Sequence, residues 1–286
     1  MIATRLGRSV DPRGTPKKIH LGIKVEQKNT AVDLTFLGTR GGIAARSRRH
    51  RRHSSLLIQH NDARIMIDCG ADWLGRLSSV APTAIVLTHA HPDHAWGLAE
   101  GAPCPVYAAK ETLDFLHRFP IHDRREMPRQ KSVMIGGVRF KAYPVQHSIR
   151  APAVGYRVSA KGTRFFYVPD VAGLPDAPNA LRGIDVYIGD GATMKRSMVR
   201  KKKGTLIGHA PMTVQLGWCK MAGVRRAIFT HCGSPIVRGK ARVLSASVRR
   251  LGREQGIDAC LASDGNRLSL SGGARGGWRH RARKRA

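Results

Sequence analysis

The stretch LTHAHPDHAWGL, residues 87–98, places three histidines and an aspartate within the six positions from His89 to His94. His89 and His91 alternate at the exit of an apolar, strand-like run, so both rings face one side. Pro92 fixes the turn, and Asp93 and His94 lead into a helix. A segment of this kind lets two neighbouring metal ions share one short piece of chain. Imidazole and carboxylate donors without thiolates suit zinc, and they also suit manganese or iron. The competing reading is a histidine-rich loop that holds nothing. Three histidines and an aspartate directly after a buried strand weigh against it.

The elements that must position these residues alternate between strand and helix signals. VDLTFLG (32–38), SSLLIQH (54–60), RIMIDCG (64–70) and the nearly continuous apolar run TAIVLTH (83–89) predict strands. VRFKAYPV, VGYRVSA, TRFFYVPD, IDVYIGD and RAIFTHCG predict five more. Helical patterns fall at about 92–100, 110–118, 211–222 and 239–254, the third opening on Pro211. His89, Asp170, Asp190 and His231 each sit where an apolar run gives out. Strand ends that feed loops are where layered α/β proteins collect polar site residues, so these distant positions predict one shared site.

HxHxDH after an apolar strand resembles the signature of the metallo-β-lactamase fold superfamily. The resemblance calls for a lone His after a later strand, and YPVQHS supplies His147. It calls next for an Asp at a strand end and then a His at a late strand end; FFYVPD supplies Asp170 and AIFTHCG supplies His231. By that resemblance His89, His91 and His147 hold one metal. Asp93, His94 and His231 hold the other, and Asp170 bridges the two. The fold implied is an α/β (α+β), four-layer αββα sandwich over about residues 32–270, with the site at one edge of its two sheets. Oxygen-reducing members of the superfamily usually place a Glu where His91 stands, so the histidine here points to hydrolysis.

Two further motifs resemble ribonuclease Z and related phosphodiesterases. FLGTRGGIAARSRRHRRHSSLLI (36–58) combines a strand, a Gly-rich turn and a basic stretch leading to Ser-Ser. Gly38, Gly41 and Gly42 permit a tight turn and a close backbone approach to an anion, and Arg46, Arg48, Arg49, Arg51 and Arg52 are candidate phosphate contacts. A hairpin turn beside a solvated basic loop is the plainer reading of that segment. The proline usual in the family's turn is replaced by Ile43-Ala44-Ala45, and His50 and His53 read as part of the loop rather than as ligands. IGHAPMTVQLGWCKMAGVRRAIFTH (207–231) puts His209 where the family keeps a non-ligand His that stabilises or protonates the reacting diester. IGDGAT (188–193) points to Asp190 as its acidic support. A helix-capping or simply buried His209 is the alternative.

The resemblance thus implies two divalent ions, a phosphodiester substrate such as RNA or a nucleotide, Asp93 orienting the attacking hydroxide and His209 assisting the leaving group. It also implies a homodimer, the state of many relatives. One family feature is missing. Only 22 residues separate His147 from Asp170, too few for two strands plus the long Gly/Pro-rich arm that grips tRNA in ribonuclease Z. KRSMVRKKKG (195–204), with six basic residues just before His209, offers a different nucleic-acid grip, and a flexible solvated loop is its simpler reading. Two other functions share the fold: an acyl hydrolase opening lactones, lactams or thioesters, and a nucleic-acid-binding protein without catalysis.

Composition sets the frame. Hydrophobic residues make up 42% and charged residues 24% of 286, ordinary values for a globular chain. No apolar run approaches the roughly 20 residues that cross a bilayer, and the basic N-terminus lacks the apolar middle of a secretory signal. Five cysteines without CxxC spacing exclude a disulfide framework and point to a reduced, cytoplasmic chain. Net charge is +31, of which +20 remains on residues 30–270. Such a surface attracts nucleic acid through phosphate neutralisation, although 35 arginines among 50 basic residues also fit a coding bias. Residues 1–30 and 271–286 read as flexible basic extensions of a catalytic domain spanning 31–270.

Overall fold

The computed structural model describes residues 32–271. The expectations for the two basic extensions lie outside the described residues. Strands β1 (Val32–Gly38), β2 (Ser55–His60), β3 (Ala63–Ile67), β4 (Ala84–Val86), β5 (Val106–Ala108) and β6 (Arg124–Glu126) lie side by side in that order. A second sheet begins with β7 (Ser132–Ile135), β8 (Val138–Val145), β9 (Ala153–Ala160), β10 (Thr163–Tyr167) and β11 (Val186–Asp190). A separate ribbon pairs β12 (Arg200–Lys202) with β13 (Thr205–Ile207). Strands β14 (Arg226–Thr230) and β15 (Asp258–Leu261) complete the second sheet, and β16 (Arg267–Leu270) returns to pair with β1. Each main sheet has seven strands.

The alternation of side chains explains the layers. Leu56 and Ile58 of β2 enter the same buried cluster as Phe140, Tyr156, Phe165 and Ile188, which lies between the sheets. Leu57, one residue out of phase, packs outward with Met66, Trp73 and Leu98. In the second sheet Phe165 and Tyr167 point inward, while Phe166 packs outward with Leu216, Val248 and Leu251. Leu216 belongs to α4 (Met212–Met221), and Val248 and Leu251 belong to α6 (Ala241–Glu254). On the first sheet's outer face sit α1 (Pro92–Ala95) and α2 (Lys110–Phe115), while α3 (Ala177–Leu181) and α5 (Ser234–Arg238) contribute to the opposite outer layer. Strands buried on both faces read as continuous apolar runs, which is why TAIVLTH and RAIFTH lack alternation. The αββα architecture is as expected.

The site edge follows from strand direction. Strands β3, β4, β5 and β6 run parallel, as do β10, β11, β14 and β15. Their carboxyl ends therefore collect on shared edges, where the loops after β3, β4, β10, β11 and β14 meet. The helix expected over 92–100 is one α turn followed by a 3₁₀ turn, Trp96–Leu98. Close packing explains the change. A Cβ on Gly97 would lie 2.5 Å from the carbonyl oxygen of Cys69, so this segment is pressed onto the loop after β3.

Candidate functional site

His89, His91, His147 and Asp170 offer one potential ligand atom each, all within 4.8 Å of one another. Asp93, His94, Asp170 and His231 form a second such set. The two sets share Asp170. His89 and His94 are fully buried, Asp170 and His147 nearly so. Pro92 opens α1 with His91 as its N-cap, so one helical turn carries Asp93 and His94 to the far side of His89 and His91. His147 lies two residues beyond β8, Asp170 three beyond β10, and His231 directly follows β14.

The distances are those of a ligand shell. His91 Nδ1 lies 3.0 Å from His89 Nε2 and 3.3 Å from His147 Nε2. Asp170 Oδ2 lies 3.2 Å from His89 Nε2, 3.4 Å from His147 Nε2 and 3.1 Å from His94 Nε2. Asp93 Oδ2 is 3.1 Å from His231 Nε2 and 3.4 Å from His94 Nε2. Tetrahedral donors at bond lengths of about 2.0–2.1 Å stand roughly 3.3 Å apart, and both sets match that spacing. His94 Nε2, Asp170 Oδ1 and His231 Nδ1 are buried and make no hydrogen bond, although His231 Nδ1 is only 2.8 Å from Asp170 Oδ1. All three residues belong to the second candidate ligand set. Buried polar atoms left in this way are costly unless a cation completes them. The residues fit divalent metal.

Neighbouring groups fix which ring nitrogen faces the centre. Asp68 Oδ2 lies 2.9 Å from His94 Nδ1, and Thr88 donates its backbone N–H and its hydroxyl to the same carboxylate. His89 Nδ1 lies 3.0 Å from Thr88 Oγ1, and His147 Nδ1 lies 3.0 Å from the Gly208 carbonyl. In each case Nδ1 is engaged and Nε2 is left for an ion. Asp68 is fully buried and adopts φ 61°, a left-handed conformation that non-glycine residues rarely take. His231 does the same at φ 52°. Both are strand-end turns held by the packing around the centre. Sequence reasoning missed Asp68, although its place at the end of β3 carries the same strand-exit signal as Asp170.

Charge divides the cluster in two. Burial, and then His147, hold His91 down at about 4, and burial holds His89 well below the ordinary histidine range. Both rings are therefore neutral, as metal binding requires. For His94 burial again pulls downward, but the charges of Asp93, Asp170 and Asp68 outweigh it. A cation seated there takes over the counter-charge that a proton otherwise supplies.

Asp190, the last residue of β11, bonds His209 Nδ1 at 2.8 Å. Its carboxylate also accepts the backbone N–H groups of Val171 and Ala192. Gln215 from α4 bonds both the N–H and the carbonyl of Asp190, and Tyr187 donates to Gln215. Asp190 is thus saturated by a rigid network. His209 does not cap α4, whose N-cap is Pro211 with no side-chain cap bond. Although Asp170, Asp190, His209 and His231 also lie close together, Asp190's oxygens are committed to N–H donors. That set is a hydrogen-bond network.

The glycine turn lies directly against the candidate ligands. A Cβ on Gly41 would meet the His231 ring at 3.0 Å, and one on Gly42 would meet Asp93 Oδ2 at 2.9 Å. Both glycines instead let the turn close over the second set of candidate ligands. Gly38 faces the His53 carbonyl, at 2.0 Å from a hypothetical Cβ. Nor are all five loop arginines available. Arg46 pairs with Asp72 at 2.9 Å and Arg52 stacks over Trp73 at 4.7 Å, whereas Arg48, Arg49 and Arg51 are exposed. His50 and His53 lie outside both candidate ligand sets. In the run 195–204, whose simpler reading is a flexible loop, residues 200–204 form β12 and the turn of the β12–β13 hairpin.

This fold and this cluster define a class. A family model described as the β-lactamase superfamily domain matches residues 63–232, more than half of the chain, and the chain belongs to that superfamily. Among its relatives, ribonuclease Z of Methanopyrus kandleri is 29% identical over 142 residues, covering 44% of this chain and 49% of that protein. The metallo-β-lactamase fold protein YhfI from Bacillus subtilis superposes with a TM-score of 0.66 at 16% identity, over 84% of this chain and 99% of its own. A diphosphatase of the PhnP family superposes with a TM-score of 0.61 at 22% identity, over 84% of this chain and 98% of its own. The chain spans 48–62% of the length of the curated relatives it matches. No helix among the described residues is long and apolar enough to cross a membrane.

Proposed function

We propose that this chain is a binuclear, metal-dependent phosphodiester hydrolase of the ribonuclease Z type, acting on RNA or a nucleotide. The observation that carries the reading is the His209–Asp190 pair beside two ligand sets that share Asp170 Oδ2. The match to ribonuclease Z and the surplus of basic side chains support it. His89, His91, His147 and Asp170 hold one ion. Asp93, His94, Asp170 and His231 hold the other, zinc by donor type, with manganese and iron also suited. When bound, two divalent cations supply Lewis acidity and make water nucleophilic near neutral pH.

The chain's own residues do the rest. Asp93 orients the attacking water through its carboxylate. Asp190 keeps the His209 proton on Nδ1 and fixes the ring plane, leaving Nε2 for the diester oxygen on which charge builds. His209 is 21% exposed, enough to touch a substrate that the buried ligands cannot reach. Between His147 and Asp170 the tRNA-gripping arm has no counterpart, because β9 and β10 fill that segment and turn through Lys161 and Gly162 alone. Five free cysteines support a reducing, cytoplasmic setting, and homodimerisation is the expectation the resemblance carries.

The test is a substrate panel on zinc- or manganese-loaded protein: bis(4-nitrophenyl) phosphate against a lactone, a lactam and a thioester. Diester cleavage that RNA inhibits competitively is expected. Preferential acyl hydrolysis, insensitive to salt and indifferent to RNA, would replace this reading with an acyl hydrolase. RNA binding by metal-free protein with no turnover of any substrate would replace it with a binding protein.

A further inference from the structure

The hairpin β12–β13 belongs to neither main sheet, and nothing in the αββα sandwich requires it. Its turn is Lys203-Gly204, with φ of 48° and 77°, the two positive values of a two-residue type I′ turn. Such a turn matches the strand twist and makes a defined ribbon out of a segment whose composition suggests a loop. Arg200, Lys201 and Lys202 of β12 are all exposed, as are Lys203 and the entry residues Lys195 and Arg196. Among the described residues no ion pair engages any of these six. A row of like charges without counter-charge repels itself and is held only by the ribbon's backbone bonds, so its relief must come from an external anion.

The ribbon is also wired to the centre. Gly208 donates its N–H to the His147 carbonyl at 2.9 Å, and its own carbonyl holds His147 Nδ1 at 3.0 Å. Met198 donates its N–H to the carbonyl of His209. A Cβ on Gly208, at φ 99°, would stand 2.2 Å from the Met198 carbonyl, so only glycine lets the two legs close beside His147. The hairpin therefore rises from the His147–His209 side of the site. The exposed Arg48, Arg49 and Arg51 belong to the loop whose glycines press on His231 and Asp93, the other side. The hairpin, unpaired and basic, thus stands at the edge of the cluster beside His147 and His209.

Resting on the phosphodiesterase reading, we propose that residues 195–207 form a polynucleotide exosite, gripping the backbone of a substrate strand as it enters the centre past His209. The ribbon carries the tip lysines, Lys202 and Lys203, on the order of 10 Å away from Gly208 at ~3.3 Å per residue, so they meet phosphates beyond the one being cut, while Arg200 pairs with Ile207 nearer the centre. A chain of phosphates reaches the hairpin and the centre at once, which a single nucleotide does not. The grip is backbone-directed and carries no base specificity, because lysines on an exposed strand contact phosphates as point charges.

The experiment compares the wild-type chain with an R200A/K201A/K202A/K203A variant, all four residues being solvent-facing. Binding is read by the anisotropy of a labelled single-stranded phosphorothioate 12-mer across a salt series, and turnover with bis(4-nitrophenyl) phosphate. The variant should bind the 12-mer about 10-fold or more weakly at 0.1 M salt, its log–log salt slope flattening by about 0.7 per lost phosphate contact. A dinucleotide should bind both proteins alike, and small-diester turnover should be unchanged. Equal 12-mer affinity and slope in the two proteins overturns the exosite. An equal loss of dinucleotide affinity also overturns it, by placing the lysines in the centre itself. The binding readout needs no turnover, so failure of the phosphodiesterase reading shows separately as absent hydrolysis in both proteins.

Discussion

An Asp170→Ala chain is expected to lose both ions together and to cleave bis(4-nitrophenyl) phosphate at least about 10³-fold more slowly, the scale of losing a preorganised electrostatic group. The reason is the position of one atom. Asp170 Oδ2 stands between His89 and His147 on one side and His94 on the other, 3.1–3.4 Å from each ring nitrogen. Removing it leaves each set with three donors and removes the one negative charge common to both. The buried histidines then face each other unscreened, and cation binding loses its main electrostatic drive. Elemental analysis of the purified variant reads the result. Asp170→Asn keeps the volume and separates loss of charge from loss of packing; it too should fall below one ion per chain. A variant that keeps both ions would show that the carboxylate does not bridge.

His209→Ala should have the opposite signature, with metal content near wild type and diester turnover slower by about 10² or more. Burial pulls the His209 pKa down, but the charge and hydrogen bond of Asp190, followed by the charge of Asp170, carry it above the ordinary value. The shift favours the protonated ring, the form that donates. Because the protonated form is the active one, turnover should fall as pH rises through the elevated pKa. That alkaline limb should vanish in His209→Ala. Asp190→Asn, which keeps the bond but removes the charge, should move the limb to lower pH. Metal lost in proportion to activity would make His209 a ligand and remove it from this role.

Much of this site was legible because His89, Asp170, Asp190 and His231 each close a buried apolar run. TAIVLTH, FFYVPD and RAIFTH run apolar until a His or Asp appears, and a polar group at such a boundary has few reasons to be there except function. Asp68 ends β3 in the same manner, yet DCG reads as an ordinary turn, and only coordinates reveal its bond to His94. The elements that escaped notice are short or polar. Arg124–Glu126 and Arg200–Lys202 have no apolar residue to alternate, so their pairing follows from neighbours and turn geometry rather than from a hydrophobic face. The glycine turn was legible only in part. Sequence shows that Gly41 and Gly42 tolerate close approach, but not that the approaching groups are His231 and Asp93. The main architecture was visible because strands buried on both faces leave long apolar runs, whereas a ribbon in solvent leaves none.

The most direct test of the binuclear account is a titration of zinc, then separately of manganese, into chelator-stripped protein while bis(4-nitrophenyl) phosphate hydrolysis is followed. Turnover should climb with added metal from the start and level off only at two ions per chain, since the two ligand sets share one carboxylate and work as a unit. Full activity at one equivalent, or none at two bound equivalents, would contradict a binuclear phosphodiesterase centre.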